Sequence, residues 1–374
     1  MSENKALHIL AFNIPYPANY GGAIDVFHKI VALKKAGVEV HLHCFEYGRK
    51  HANILKNYCK SVHYYKRKSG LRHVLSNTPY FVQTRSNQSL VEYLTAHPYP
   101  ILSEGIHCSK NVLIPLLKNR KKYLRAHNVE TDYYLELSKS EPNFWKRLYF
   151  FTEYLKLKQY EKKVALFDGV FAISMSDHSY FKNRCQSNYI KAFHSNTEIL
   201  SKLGMGTFAL YHGNLSLQEN IKAALFLIKK VFAFTDYPFI IAGKRPCQTV
   251  LEAVKKYSHI KLIQNPSAQH MNELIAEAHM CLLPTHQKTG IKLKLIESLH
   301  RGRFCVANHA MINNTELAPY CYAANSANEW LKIINTLKHK DFNSELLIQR
   351  KQISTVFNND REALKLIEII FEKK

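Results

Sequence analysis

The sequence predicts an α/β protein of two doubly wound domains. Short apolar runs alternate with segments whose apolar residues recur at helical spacing, and the series starts twice, at residues 7–12 and 207–212. Between the two series, residues 193–205 collect Asn, Ser, Thr and Gly without periodicity, as a linker does. At 374 residues the chain has the length of two ordinary domains, and 46% hydrophobic content supports real cores rather than disorder.

In the first series, residues 7–12 read as a buried strand and 13–22 as a loop ending in Gly21-Gly22. Ile24, Phe27, Ile30, Val31 and Leu33 give residues 23–36 a helical period, Gly37 ends that helix, and 38–45 is the next strand. Ligands of such domains sit on loops at strand carboxyl ends. The glycine pair is therefore either a ligand loop or a plain tight turn; no GxGxxG is present, so a dinucleotide fingerprint is not supported. Residues 100–105 and 122–127 read as further strands. His127, at the end of the second, is a candidate catalytic or ligand-binding residue, weighed against a structural histidine; His107 is a weaker candidate. Residues 145–167 read as one long helix rich in aromatic and basic residues, either a membrane-surface face or an ordinary solvated one. Residues 169–174 are the next strand, followed by a helix opening at Asp177.

The second series runs strand 207–212, loop 213–216, helix 219–232 and strand 239–242, ending in the basic loop Gly243-Lys244-Arg245-Pro246. Helix 249–256, strand 260–263, helix 271–279 and strand 280–284 follow. The most informative stretch comes next. A loop ends at Gly290 and a helix starts near Ile291, with Ile291, Leu295 and Leu299 facing the core and Gly302 closing it before strand 304–307. A helix N-terminus offers backbone N–H groups to an anion. Lys292 and Lys294 in the first turn oppose the helix dipole, a cost that a bound phosphate offsets. The Glu297 carboxylate can accept hydrogen bonds from sugar hydroxyls. Helices at 327–339 and 361–371 close the chain.

A formal net charge of +23 points to an anionic partner: nucleic acid, a membrane surface or a phosphorylated substrate. The eight cysteines form no CxxC pair or zinc spacing and read as free thiols of a reducing cytosol. The N-terminus lacks the apolar run of a signal peptide, and no run approaches the roughly 20 residues that span a bilayer.

Four motifs together resemble a GT-B glycosyltransferase, most like the family 4 enzymes: Pro15-Tyr-Pro-Ala-Asn-Tyr-Gly-Gly22, Arg125-Ala-His-Asn-Val-Glu130, Tyr211-His-Gly-Asn-Leu-Ser216 with Glu219-Asn220, and Gly290-Ile-Lys-Leu-Lys-Leu-Ile-Glu297. The resemblance implies two Rossmann-like domains facing across a cleft. Residues 1–198 would bind the acceptor and 199–374 the nucleotide sugar, the last helix being a candidate to pack back on the N-terminal domain. It implies a metal-independent retaining hexosyltransferase without a cofactor; no Asp-x-Asp triplet is present to hold a metal. Its donor would be a nucleotide-diphosphate sugar and its acceptor a glycan or lipid-linked glycan, in surface polysaccharide synthesis. The enzyme would be cytoplasmic or peripheral at the inner face of the cell membrane, touching an anionic membrane surface but no nucleic acid. Of the family's two glutamates, the second falls on Glu297, which would hold the ribose, and the first on Thr289. The usual Arg and Lys after the first strand of the second domain fall on Asn214 and Glu219; Lys244, Arg245, Lys292 and Lys294 would supply the charge. The implied catalytic residues are His127, contacting sugar or acceptor, and Lys294, stabilising the leaving diphosphate. Gly21, Gly22, Arg125, Gly213, Asn214, Lys244, Arg245, Thr289, Gly290, Ile291, Lys292 and Glu297 are the implied substrate contacts. The alternatives are a catalytically inactive GT-B scaffold and, less favoured for want of any helix-turn-helix, zinc or RNP motif, a nucleic-acid-binding protein.

Overall fold

Two parallel sheets carry the architecture of the computed structural model, which describes residues 5–285, 293–313 and 315–372. The first sheet comprises β1 (Ala6–Ala11), β2 (Glu39–Glu46), β3 (Ser61–Lys66), β4 (Ile101–Glu104), β5 (Lys122–Ala126), β6 (Gly169–Ala172) and β7 (Ser187–Tyr189). Its order is β3-β2-β1-β4-β5-β6-β7. The second comprises β8 (Ala209–Asn214), β9 (Phe239–Lys244), β10 (Ile260–Gln264), β11 (Met280–Leu283), β12 (Phe304–Ala307) and β13 (Tyr322–Ala323), ordered β10-β9-β8-β11-β12-β13. Both wind outward from their first strand in two directions, reversing between β1 and β4 and between β8 and β11. Strands covered by helices on both faces read as unbroken apolar runs. Accordingly every residue of β1, β11 and β12 is buried.

The chain divides into two compact units. One holds described residues 5–195 and 358–372, the other 196–285, 293–313 and 315–357. In the first, the Asn359–Phe371 helix returns to pack Ala363, Leu366 and Ile370 into the same core as Val26 and Ile30 of the Gly21–Lys35 helix. Glu362 accepts from Lys191 N at 2.9 Å and Asn359 Oδ1 from His194 N at 3.1 Å, fastening the chain just before the boundary.

Several elements depart from the sequence reading. Gly21 and Gly22 do not end a loop; they form the first turn of the Gly21–Lys35 helix. A Cβ on Gly22 would lie 2.7 Å from Phe12 Cζ, so a side chain there would have to displace the Phe12 ring. Gly37, at φ +83°, takes the left-handed conformation that closes the helix. Gly302 does not; its Cβ would meet the Ser298 carbonyl oxygen at 2.8 Å, so close packing rather than chirality requires it. The long aromatic helix spans Phe144–Tyr160 and then tightens into a 3₁₀ turn over Glu161–Leu166. There the buried Glu161 accepts from Thr131 Oγ1 and Tyr180 Oη, each at 2.7 Å. The helix after β8 covers Gln218–Phe226 and continues as a π turn over Leu227–Val231. Gly213, Asn214, Gly243 and Lys244 are strand ends, not loop residues. The sequence reading omits β3, an edge strand whose half-buried His and Tyr residues and terminal Lys blur its alternation. It also omits the Gln88–Ala96 and Ser344–Lys351 helices.

Candidate functional site

In the first unit, a buried charge cluster sits where the sheet reverses. Asp25 and Lys29 lie one turn apart on the Gly21–Lys35 helix, Glu104 ends β4, Arg125 lies on β5 and His127 just beyond it. Lys29 Nζ is 3.0 Å from Asp25 Oδ2 and 2.7 Å from Glu104 Oε1. Arg125 grips Asp25 with Nε at 3.1 Å and Nη2 at 2.8 Å, and donates to the Ile190 and Lys191 carbonyls at 2.6 and 3.0 Å. All four charged side chains are 0% exposed. Burying charges is tolerable only when each is paired. Here two acids meet two bases, and the Phe193 N–H adds a bond to Asp25 Oδ1 at 2.9 Å. Burial pushes the Asp25 carboxyl up, but Arg125 and Lys29 outweigh it and hold the group well below the usual carboxylate range. Burial is likewise overcome at Glu104, by Lys29 and by the bond from His127.

His127 Nε2 lies 2.9 Å from Glu104 Oε2. Because Glu104 is ionised, Nε2 carries the proton and donates. Nδ1 is buried, makes no hydrogen bond among the described residues and lies 4.0 Å from Asp25 Oδ2. A substrate hydroxyl would therefore have to engage the ring through Nδ1. Asp25, Glu104 and His127 bring ligand atoms close enough to hold a cation. Lys29 and Arg125 already neutralise both carboxylates, so the set is a poor fit for a metal ion. The sequence reading finds Arg125 and His127 but misses Asp25, Lys29 and Glu104. Its available signal was an acid and a lysine four residues apart on the apolar face of a helix.

Beside His127, a cavity of about 10 Å³ is lined by Gly105, Asn128, Glu130 and Glu161. Burial, with Glu161 and Asp177 nearby, pushes the Glu130 carboxyl up to about 8. His107 is half-buried, stacks on Phe12 at 4.9 Å and is pushed well below the usual histidine range by burial of its ring and by Arg85.

In the second unit, the carboxyl ends of β8 and β9 lie side by side, pairing Gly213 with Gly243 and Asn214 with Lys244. A Cβ on Gly243 would sit 2.0 Å from the Gly213 carbonyl oxygen, an approach that glycine alone allows. Lys244 and Arg245 are exposed. Arg245 takes φ +50°, with its N–H donating to Asn265 Oδ1 at 2.9 Å. Lys294 and Ser298 project from one face of the Leu293–Arg301 helix. Ser298 Oγ is 3.0 Å from His212 Nε2 on β8, and Lys294 Nζ donates to Asn220 Oδ1 at 2.9 Å. Lys294 also lies 5.3 Å from the centre of the Tyr211 ring. Asn220 is held in turn by Tyr211 Oη and by its own bond to the Asn214 carbonyl at 3.0 Å.

Lys294 thus brings positive charge to the first turn of the Gln218–Phe226 helix, where Asn214 and Glu219 offer none. Asn214 Oδ1 instead accepts from Ser216 N and Oγ at 3.1 and 2.8 Å, and Glu219 accepts from Thr285 Oγ1. Glu297, on the adjoining helix face, is half-buried; burial pushes its carboxyl up against the opposing pull of Arg301. Leu295 and Leu299 are fully buried. Thr289, Gly290, Ile291 and Lys292 lie outside the described residues.

Solved structures share this fold over nearly the full length of the chain. A variant of S. aureus TarM in complex with fondaparinux, α-GlcNAc-glycerol and UDP aligns with TM-score 0.67 and 11% identity, over 98% of this chain and 100% of that one. WaaG, a glycosyltransferase involved in lipopolysaccharide biosynthesis, aligns with TM-score 0.62 and 12% identity, over 98% and 100%. A glycosyltransferase from Rickettsia africae gives TM-score 0.65 and 12% identity, over 99% and 100%. Among curated proteins, an uncharacterized 44.6 kDa protein in the cps region of Klebsiella pneumoniae is 24% identical, over 94% of this chain and 99% of that protein. Residues 207–338 match the family model for glycosyl transferases group 1. This chain has the GT-B fold, and residues 207–338 of its second unit are similar to the glycosyl transferases group 1 family.

Proposed function

We propose that the chain is a retaining glycosyltransferase that moves a hexose from a nucleotide-diphosphate sugar to a glycan or lipid-linked acceptor of a surface polysaccharide. The observation that carries the reading is Lys294, fixed by Asn220 and Tyr211 at the first turn of the Gln218–Phe226 helix. A cation at a helix N-terminus is unfavourable alone and favourable around a bound anion. Lys244, Arg245 and Lys292 would add to this field, the Gly290 backbone would approach the phosphates beside Thr289 and Ile291, and Glu297 would accept from the ribose. In the transfer, the bond from C1 to the diphosphate oxygen breaks, the acceptor oxygen bonds C1 from the same face, and its proton passes to the departing diphosphate. Positive charge of the protein beside the departing diphosphate lowers this barrier most. His127, through Nδ1, would orient the transferred sugar or acceptor, with Glu104 fixing its tautomer. Gly21 and Gly22 would let the first unit's backbone approach the substrate, and Arg125 would act through Asp25.

Membrane docking belongs to the same reading. Phe144, Leu148, Phe151 and Leu155 repeat along one helix face and are 43–58% exposed, with Trp145 74% exposed beside them. Lys156 Nζ donates to the Val74 carbonyl at 2.5 Å, which ties this helix to a turn bearing exposed Leu71 and Leu75. Aromatic and aliphatic side chains among Lys and Arg suit an anionic interface. No helix among the described residues is long and apolar enough to cross a membrane.

A panel of nucleotide-diphosphate sugars tests the reading. Release of nucleoside diphosphate, and a product with the donor's anomeric configuration, are expected. Binding without turnover would identify an inactive scaffold, and preference for nucleic acid over every nucleotide would identify a nucleic-acid binder. Sedimentation with neutral and anionic vesicles tests the docking, and equal recovery with both would remove it.

A further inference from the structure

A cleft in the first unit has no assigned occupant. Its volume is about 580 Å³, within the range of small-ligand sites. It lies on the loops that follow β1 and β2, at the carboxyl edge of the sheet, and is lined by Tyr16, Asn19, Arg49, Lys50 and His51. Its polar character is one-sided. Neither Arg49 nor Lys50 has a carboxylate partner among the described residues, and no acid lines the cleft. The nearby carboxylate of Glu46 is taken by His51 Nε2, 2.5 Å away.

The arginine is prearranged. Nη1 donates to Asn19 Oδ1 at 3.0 Å, Nη2 donates to the Pro17 carbonyl, and the guanidinium lies 5.1 Å from the centre of the Tyr20 ring. Its Nε is buried and has no acceptor. The guanidinium is thus held by neutral acceptors and keeps its full positive charge at the wall of the cleft. His51 is fixed as well, its ring 3.8 Å from the Tyr64 ring and 11° from parallel to it. Cationic donors with no acid beside them suit a sugar bearing a negative group.

We infer that this cleft binds a glycosyl residue carrying a carboxylate or phosphate, and that the acceptor is therefore an anionic glycan. The inference rests on the glycosyltransferase reading for the word acceptor; the cleft's preference for an anionic sugar stands or falls separately. Binding of methyl glucoside, methyl glucuronide and glucose 6-phosphate to the full chain, followed by NMR at low salt, tests it. The charged pair should bind about 10- to 100-fold more tightly than the neutral sugar, the scale of a hydrogen bond to a charged group. The ratio of glucuronide to phosphate affinity distinguishes carboxylate from phosphate as the source. Arg49→Gln should abolish most of the discrimination. Lys50→Gln should reduce it without touching the loop, because Lys50 makes no side-chain hydrogen bond among the described residues; it covers the case in which Arg49→Gln fails to fold. Equal affinity for all three sugars, binding of none, or discrimination that survives both substitutions would overturn the inference. A panel of nucleoside diphosphates titrated in parallel keeps the two readings apart: no binding of any of them to the wild type would count against the transferase reading and leave the sugar result standing.

Discussion

In the first unit, Asp25, Lys29, Glu104 and Arg125 pair with one another at 0% exposure around the reversal of the sheet. At the corresponding reversal of the second unit, Lys294 reaches a neutral amide oxygen and an aromatic face, with exposed Lys244 and Arg245 on the neighbouring strand end and loop. The two sheets wind alike, yet one encloses two acids with two bases and the other brings Lys294 to the first turn of a helix, near exposed Lys244 and Arg245. A satisfied network holds geometry; a cationic helix end takes an anion. The difference teaches that similar doubly wound sheets place function by side-chain chemistry at the reversal, not by topology.

Removing one member of the closed network should have the largest effect. Asp25→Ala leaves Lys29 and Arg125 short of a counterion and should cost about 3–5 kcal/mol of stability in denaturant unfolding. A cost under 1 kcal/mol would mean the cluster is not the tight network described. Lys294→Ala should leave the fold intact and lower kcat on the order of 10²–10³-fold, with a smaller effect on donor affinity. A change confined to KM would make Lys294 a binding residue only. Glu297→Ala should weaken nucleotide binding by about 1.5–3 kcal/mol per ribose bond lost.

A pH dependence sharpens the first side of the comparison. Glu130, next to the ionised network, has its carboxyl raised to about 8, so the folded state holds a proton that the unfolded state releases. Its contribution to stability is therefore lost as pH rises from the ordinary carboxylate range toward 8, at about 1.4 kcal/mol per pH unit at most. Glu130→Gln should remove that slope, which unfolding measured at pH 5 and pH 8 would detect; an unchanged slope would mean Glu130 is ionised in the fold.

The sequence made the second unit's site more legible than the first's. Lys294 and Glu297 lie within one short motif, and apolar spacing alone places Leu295 and Leu299 in the core, so the polar face follows. Asp25, Lys29 and Glu104 come from two elements far apart in the chain, and only the sheet order brings them to His127. Local pattern also misses the start of the Gly21–Lys35 helix, because two glycines read as a turn although they form its first turn. It misses edge strand β3 because edge residues are only half-buried.

Calorimetric titration with nucleoside diphosphates addresses the central claim most directly. UDP, GDP and their peers should be compared on the wild type, Lys294→Ala, Glu297→Ala and, as a control from the other unit, Lys50→Gln. The account predicts that one diphosphate binds the wild type and Lys50→Gln alike and binds Glu297→Ala more weakly by at least tenfold. Identical affinity for all four proteins, or no binding of any nucleoside diphosphate to the wild type, would contradict it.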